Sequence, residues 1–380
     1  MAHARHLRAT SENGTEETPG LLGAVVRAAG SPAPVPLDSG RFLLITDPSA
    51  ARDVLARPDD FTFPFDITRR PIRRSRRSGD GPPRKDFAPL SAAAVARGRT
   101  VFARELDRLS VGDGWVELDA MVALRRPVTL AAVSALQPQT PEADQVSLAD
   151  RAARWIDALA PIISADRSPR SWSRYRRTER RARRDLTGLL ASAGSAAPAN
   201  DATAMGAAVQ VPIAAGAIAL ALLAAHPAAQ QQIGDPAYAT AFAWEVLRLF
   251  PATWLMPRIT TRDVVVGAAS IPAYTPVVVS PVALGRLEEL VPGPSAGRAP
   301  LDELDPERWL ASESRPGAWL PFGAGQHACP GRNLGMAQLV ALLTWAARHD
   351  WEPTAPFGVH DRRGLVAAPS VIRVRLRAEA

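Results

Sequence analysis

The chain has 380 residues, 47% of them hydrophobic and 22% charged, and a formal net charge of +7. That composition is globular and leaves ample chain for a sizeable core, in one large domain or in two or three smaller ones. A single cysteine excludes an internal disulfide framework and suits a reducing cytoplasm.

The positive charge is almost all arginine, with Lys85 the only lysine. Two runs dominate, Arg69 to Arg77 and Arg167 to Arg184. Arginine runs neutralise nucleic-acid phosphates, but no nucleic-acid fold signature accompanies these, so a solvated face or an acidic partner is the better reading. Residues 1–17 read as a disordered lead-in, without the apolar core and cleavage site of a signal peptide. Residues 18–380 read as a single domain.

A first helix is predicted over Thr18 to Ala29, followed by a short strand over Arg41 to Thr46. Asp47-Pro48 opens a second helix through Leu55. Phe61 to Pro83 has no periodicity and reads as a long irregular loop. Helical spacing resumes near Ser91 and runs with breaks to Leu159, then again over Trp172 to Ala191. Met205 to Ala225 is the most apolar stretch and is long enough to span a bilayer. Its internal Pro212, its mid-chain position and the lack of companion spans favour a buried central helix.

A helix over Thr240 to Leu249 carries Glu245 and Arg248, whose i, i+3 spacing allows pairing. Arg258 to Thr260 and Val264 to Ser280 alternate like short strands. Asp305-Pro306-Glu307-Arg308-Trp309 follows. Gly335 to His349 reads as a helix, and Val366 to Leu376 as a strand pair. No internal repeat is visible.

The stretch from Trp319 to Leu334, WLPFGAGQHACPGRNL, holds the one cysteine. Phe322, Gly323, Gly325, His327, Cys329 and Gly331 stand in the pattern F-G-x-G-x-H-x-C-x-G. A lone cysteine is by default an inert buried thiol. The neighbours argue for an axial ligand of haem iron instead. Glycines let backbone N–H groups approach a thiolate, an aromatic shields it, and a histidine two residues earlier reaches a propionate.

This stretch resembles the haem-binding loop of the cytochrome P450 family. With the E-x-x-R of Glu245 and Arg248 and the P-E-R-W segment in the same order, the resemblance covers nearly all of the chain. It implies a mostly α fold with small β sheets (α+β), holding the haem between the central helix and the helix after Cys329. It implies heme b (iron protoporphyrin IX) with Cys329 on the metal. Cofactor contacts would come from His327, Arg258, Phe322, Gly323, Gly325, Gly331 and Lys85. A buried charged triad of Glu245, Arg248 and Arg308 is implied behind the loop. The substrate wall would include Val209, Ile213, Thr253, Trp254 and Leu255, with Phe63 and Phe65 closing it.

Two departures from the family pattern stand out. Counting back from His226-Pro227, the family's acid and alcohol are replaced by Gln210 and Val211, followed by Pro212. Proline has no N–H, so the carbonyl of Ala208 loses its helical partner. Ala208, Gln210 and Pro212 are therefore the candidate catalytic positions, although a mere kink is an equal reading. In the second, Lys85 takes the place of a family histidine and Pro89 that of an arginine.

The expected function is oxidation of a small organic molecule in secondary metabolism, by a monomeric cytoplasmic enzyme drawing electrons from a ferredoxin and a ferredoxin reductase. Proton delivery would come from water or substrate. The alternatives are a hydrogen-peroxide-driven peroxygenase, an oxidative radical-coupling enzyme and a non-enzymatic haem-binding or haemless helper. Neither a nucleic acid nor a membrane is expected as partner.

Overall fold

The computed structural model describes residues 20–64, 88–109, 111–165, 168–311, 314–361 and 364–377. The elements in chain order are α1 (Leu21–Arg27), β1 (Val35–Leu37), β2 (Phe42–Ile45), α2 (Pro48–Ala56), β3 (Phe61–Thr62), α3 (Ala92–Leu106), β4 (Val116–Asp119), α4 (Ala120–Ala123), α5 (Arg125–Leu136), α6 (Glu142–Ser164) and α7 (Arg174–Ser192). Then come α8 (Pro198–Ala225), α9 (Pro227–Gln232), α10 (Pro236–Leu249), β5 (Met256–Thr260), β6 (Val264–Val266), β7 (Ala269–Ile271), β8 (Pro276–Val279), α11 (Pro281–Leu284), α12 (Arg332–Ala346), β9 (His349–Pro353), β10 (Gly358–His360), β11 (Val366–Ala368) and β12 (Val371–Leu376).

Local chemistry explains several helix starts. Asp47 accepts from the Ala50 amide ahead of Pro48, and Asp235 from the Ala237 amide ahead of Pro236. Ser91 and Ser173 cap α3 and α7 in the same way. A side-chain oxygen at the cap satisfies an orphan N–H, and proline at the first helical position gives up a donor that has no partner there anyway.

The α8 helix runs 28 residues and is buried on every side from Ile213 to Ala224. It is the one described helix long and apolar enough to cross a membrane, yet 72% of its most apolar window lies inside the protein. Its neighbours are α5, α7 and α12. Gly216 permits the closest approach: a Cβ there would stand 2.7 Å from Leu124 Cδ1 and 3.1 Å from Leu342 Cδ2.

The strands form small sheets. One has five strands in the order β1-β2-β8-β5-β3, with β2 and β8 parallel and the other pairs antiparallel. Another has the order β4-β12-β9. The Val366 to Leu376 stretch is two strands that do not pair with each other: β11 pairs with β10, whereas β12 pairs with β4 and β9. Alternation along a strand cannot reveal which sheet it joins.

The last helix also differs from the sequence reading. It starts at Arg332 and ends at Ala346, and His349 belongs to β9, paired with Leu376. The His349 ring packs on Trp345 at 4.3 Å, so a long-range strand pairing overrides the helical spacing. The predicted lead-in, most of the Phe61 to Pro83 loop, Phe65 and Lys85 lie outside the described residues.

Candidate active site

The cysteine loop is fixed from both ends. Trp319 is fully buried, stacks on Trp309 at 4.8 Å and meets Trp244 edge-on at 5.9 Å. The chain then turns through Leu320, Gly323 and Gly325, with φ of 61°, 70° and 66°. At Gly325 a Cβ would stand 2.7 Å from the Ala56 Cα and 2.9 Å from the Leu55 carbonyl, so only glycine fits against α2. The Cys329 amide donates to the Phe322 carbonyl at 2.8 Å and closes the loop. The Leu90 amide donates to the Pro330 carbonyl at 3.1 Å, tying in the chain ahead of α3.

Cys329 is exposed as a residue, with Gly331 beside its sulfur. Desolvation pushes its thiol up from the ordinary value, against the opposing pull of the Gly331 amide and the Arg332 charge. A metal ion at the sulfur reverses that balance, because a coordinated thiol loses its proton. Phe322 is half-buried and lies edge-on to Trp244 at 6.2 Å.

Arg258 shows the clearest electrostatic demand. It is only 4% exposed, yet no carboxylate pairs with it among the described residues. One N–H donates to the Pro257 carbonyl at 2.9 Å, and Nε has no partner. Desolvation alone pushes its pKa down to about 10. The guanidinium lies 4.0 Å over the Phe63 ring, and Phe63 meets the His327 ring at 4.9 Å. A buried cation is costly unless an anion meets it. The residues present therefore fit a haem: a thiol open to space on one loop, and beside that loop a buried guanidinium that lacks an anion among the described residues and suits a propionate.

Behind the loop, Glu245, Arg248 and Arg308 come together, each fully buried. The Glu245 carboxylate accepts from Arg248 at 2.6 and 2.8 Å, from Arg308 Nε at 3.1 Å, from the Asp305 amide at 2.9 Å and from Trp309 Nε1 at 2.8 Å. The spare N–H groups of the two arginines donate to loop carbonyls that include Gly285, Leu301, Pro292 and Ala299. Sequence reasoning named the three charges but missed the roles of Trp309 and Trp319. Trp309 bonds the carboxylate and stacks on Trp319, which carries the network to the cysteine loop. Their adjacency to the two motifs was the available signal.

The remaining site residues divide by burial. Val209, Ile213 and Trp254 are 2%, 2% and 0% exposed, so all three are packed in protein. Thr253 is exposed, Leu255 half-buried and Phe63 37% exposed. On α8, Ala207, Gln210 and Val211 are exposed and Ala208 and Pro212 half-buried. Separately, α3, α10 and α12 border a groove of about 1170 Å³. Trp244, Phe322 and Met336 line it, with Arg99, Arg332 and Arg348. Cys329 is not in its wall.

The family model described as cytochrome P450 matches residues 218–354, which hold the Glu245 network and the whole cysteine loop. Residues 218–354 thus carry the cytochrome P450 family pattern. Among curated P450 relatives, the cyclooctat-9-en-7-ol 5-monooxygenase of Streptomyces melanosporofaciens is 38% identical over 106 residues, 27% of this chain and 22% of that one. The cyclooctatin synthase of the same organism is 38% identical over 131 residues, 33% of this chain and 27% of that one. The chain thus spans about a quarter of the curated relatives it matches. Solved P450 structures resemble it over far more of its length. The open form of EryK from S. erythraea has a TM-score of 0.68 at 19% identity, covering 96% of this chain and 100% of that one. A six-coordinated P450 from Thermus thermophilus has a TM-score of 0.66 at 21% identity, covering 89% and 93%. The P450 fold therefore holds for the chain as a whole, and a haem cofactor goes with the family.

Proposed function

We propose that this P450 is a haem-thiolate monooxygenase that oxidises a small organic molecule of secondary metabolism. The observation that carries the reading is the Arg258 guanidinium, buried beside the cysteine loop without an anion among the described residues. Heme b is the form that supplies two propionates for Arg258 and His327 together with an iron for Cys329. When bound, the haem supplies the oxidising chemistry at its iron.

The chain's residues do the rest. Cys329 supplies the thiolate, and the Gly331 amide beside it supports the negative charge. Phe322 and Trp244 pack edge-on and brace that side of the loop. The Glu245 network holds the loop rigid, so the sulfur position does not drift between turnovers. Thr253, Leu255 and Phe63, which retain exposure, are the positions left to touch substrate. Fully buried Val209, Ile213 and Trp254 back that wall from behind.

Two relatives are named for biosynthetic oxidations, cyclooctatin synthase and cyclooctat-9-en-7-ol 5-monooxygenase, and a neighbour in structure is described as involved in himastatin biosynthesis. That pattern supports secondary metabolism without naming a substrate. A ferredoxin with its reductase is the proposed electron donor. The groove of about 1170 Å³ beside Phe322, with an apolar floor and Arg99 and Arg332 in its wall, suits an acidic protein of that kind. We place the enzyme in the cytoplasm as a monomer.

A second reading, a peroxide-driven peroxygenase, is favoured by one feature: Gln210, Val211 and Pro212 carry neither an acid nor a hydroxyl. Turnover with peroxide alone, compared with turnover with ferredoxin, reductase and NADPH, separates the two.

The test of the main reading is the carbonyl complex of the reduced, purified protein. A thiolate-type red-shifted Soret band that disappears in Cys329→Ser is expected. A colourless protein, or a band that survives Cys329→Ser, refutes the assignment and leaves the helper-protein reading.

A further inference from the structure

On α8, exposure switches at Pro212. Beyond it the helix is buried all round to Ala224. Before it, Met205, Val209 and Ile213 are buried on one side, while Ala207, Ala208, Val211 and Pro212 retain exposure on the other. With 3.6 residues per turn, Ala207 and Val211 mark the middle of the open face, and Ala208 and Pro212 its edge. The Ala208 carbonyl points along the helix toward residue 212, where an ordinary residue presents an N–H. Pro212 presents none. No side chain or loop amide among the described residues reaches that oxygen. An acceptor without its in-register donor thus lies at the border of a small, apolar open face.

We propose that the Ala208 carbonyl is a hydrogen-bond acceptor for the substrate, which selects molecules carrying an O–H or N–H donor and holds that donor at the edge of the α8 face. The inference rests on the monooxygenase reading, which puts the substrate on this side of the protein. The central positions of the open face, Ala207 and Val211, make no hydrogen bond through their side chains, so the carbonyl is the polar feature on that edge. Gln210 lies on the opposite flank, about 160° around the helix from Pro212, and does not compete for the same group.

The test is a ligand-by-protein cycle on the haem-loaded protein. The probes are 4-phenylimidazole and its ortho-, meta- and para-hydroxyphenyl analogues, titrated by the Soret shift into wild type and Pro212→Ala. At least one hydroxyl isomer is expected to bind about 2- to 10-fold tighter than the parent in wild type, the range of a single neutral hydrogen bond. That gain disappears in Pro212→Ala, whose new N–H occupies the carbonyl, while the parent binds both proteins equally. No gain for any isomer, or a gain that survives in Pro212→Ala, overturns the proposal. Melting of the haem-free proteins gives a second readout. The variant is expected to melt at the same or a higher temperature, because a helical hydrogen bond is restored. A lower temperature overturns the proposal, since it means that the carbonyl already had a partner. If 4-phenylimidazole itself gives no Soret shift in wild type, the monooxygenase reading has failed and this inference falls with it. A shift without coupling to residue 212 sinks this inference alone.

Discussion

Replacing Glu245 by alanine removes the carboxylate that two fully buried guanidinium groups share; Asp305 reaches Arg308 alone, at 3.9 Å. Five donors lose their acceptor: two on Arg248, one on Arg308, the Asp305 amide and Trp309 Nε1. Burial already pushes the Arg308 pKa down, against the attraction of Glu245 first and Asp305 second, so losing Glu245 removes the larger of its two supports. Breaking one partner out of a buried ion pair costs about 3–5 kcal/mol, because the remaining charge stays desolvated. For a 380-residue chain the unfolding entropy near the midpoint is about 0.8 kcal/mol per kelvin, so the loss appears as about 4–6 °C in Tm. Glu245→Gln keeps the shape and one acceptor oxygen, and falls between wild type and alanine. Calorimetric melting of the haem-free proteins measures the effect without the cofactor, and haem content after purification reads its consequence at the loop. A Glu245→Ala protein that melts within 1 °C of wild type and retains full haem would refute the reasoning, since the network then contributes nothing to loop or fold.

Three further outcomes are expected. Arg258→Met removes a buried cation that meets no anion among the described residues, so the haem-free protein should melt at the same or a higher temperature while haem is lost faster to apomyoglobin; slower haem loss would contradict the propionate role. Gly325→Ala adds a Cβ 2.7 Å from the Ala56 Cα at a φ of +66°, and should cost about 1–3 kcal/mol in urea denaturation. Gly40→Ala, also at positive φ but with nothing within 4 Å, should cost less; equal losses would mean that backbone strain alone decides. His349 is buried among Trp345 and Trp351, and desolvation holds its pKa below the ordinary value. The unfolded chain therefore binds a proton more readily, so this residue's contribution is full above about pH 6.5 and is lost as pH falls below it. The acid-side decline in stability should shrink in His349→Gln, and a decline of unchanged size would remove His349 as its source.

The cysteine loop and the charge network were legible in the residues because they depend on side-chain types at short spacings. Phe322 to Gly331 forms one local loop, and Glu245 and Arg248 share a helix face by spacing alone. The central helix was legible too, as a stretch apolar on all sides. Its start was not: α8 begins at Pro198, well before the apolar run, because its first turns are half-open and carry polar residues. Three things were decided only by tertiary structure, each involving residues far apart in the chain. One is that Val366 to Leu376 splits between two sheets, with β11 held by nearby β10 and β12 drawn to β4 far back in the chain, Glu117 opposite Arg373. Another is that Gly325 is pressed onto α2, and the third that Trp309 joins the carboxylate of Glu245 to the ring of Trp319. Sequence spacing reports which side chains share a face, whereas packing decides which distant face that one meets. For the same reason Arg258 read as an arginine in a strand pattern, and only burial by its neighbours makes it a cation in need of an anion.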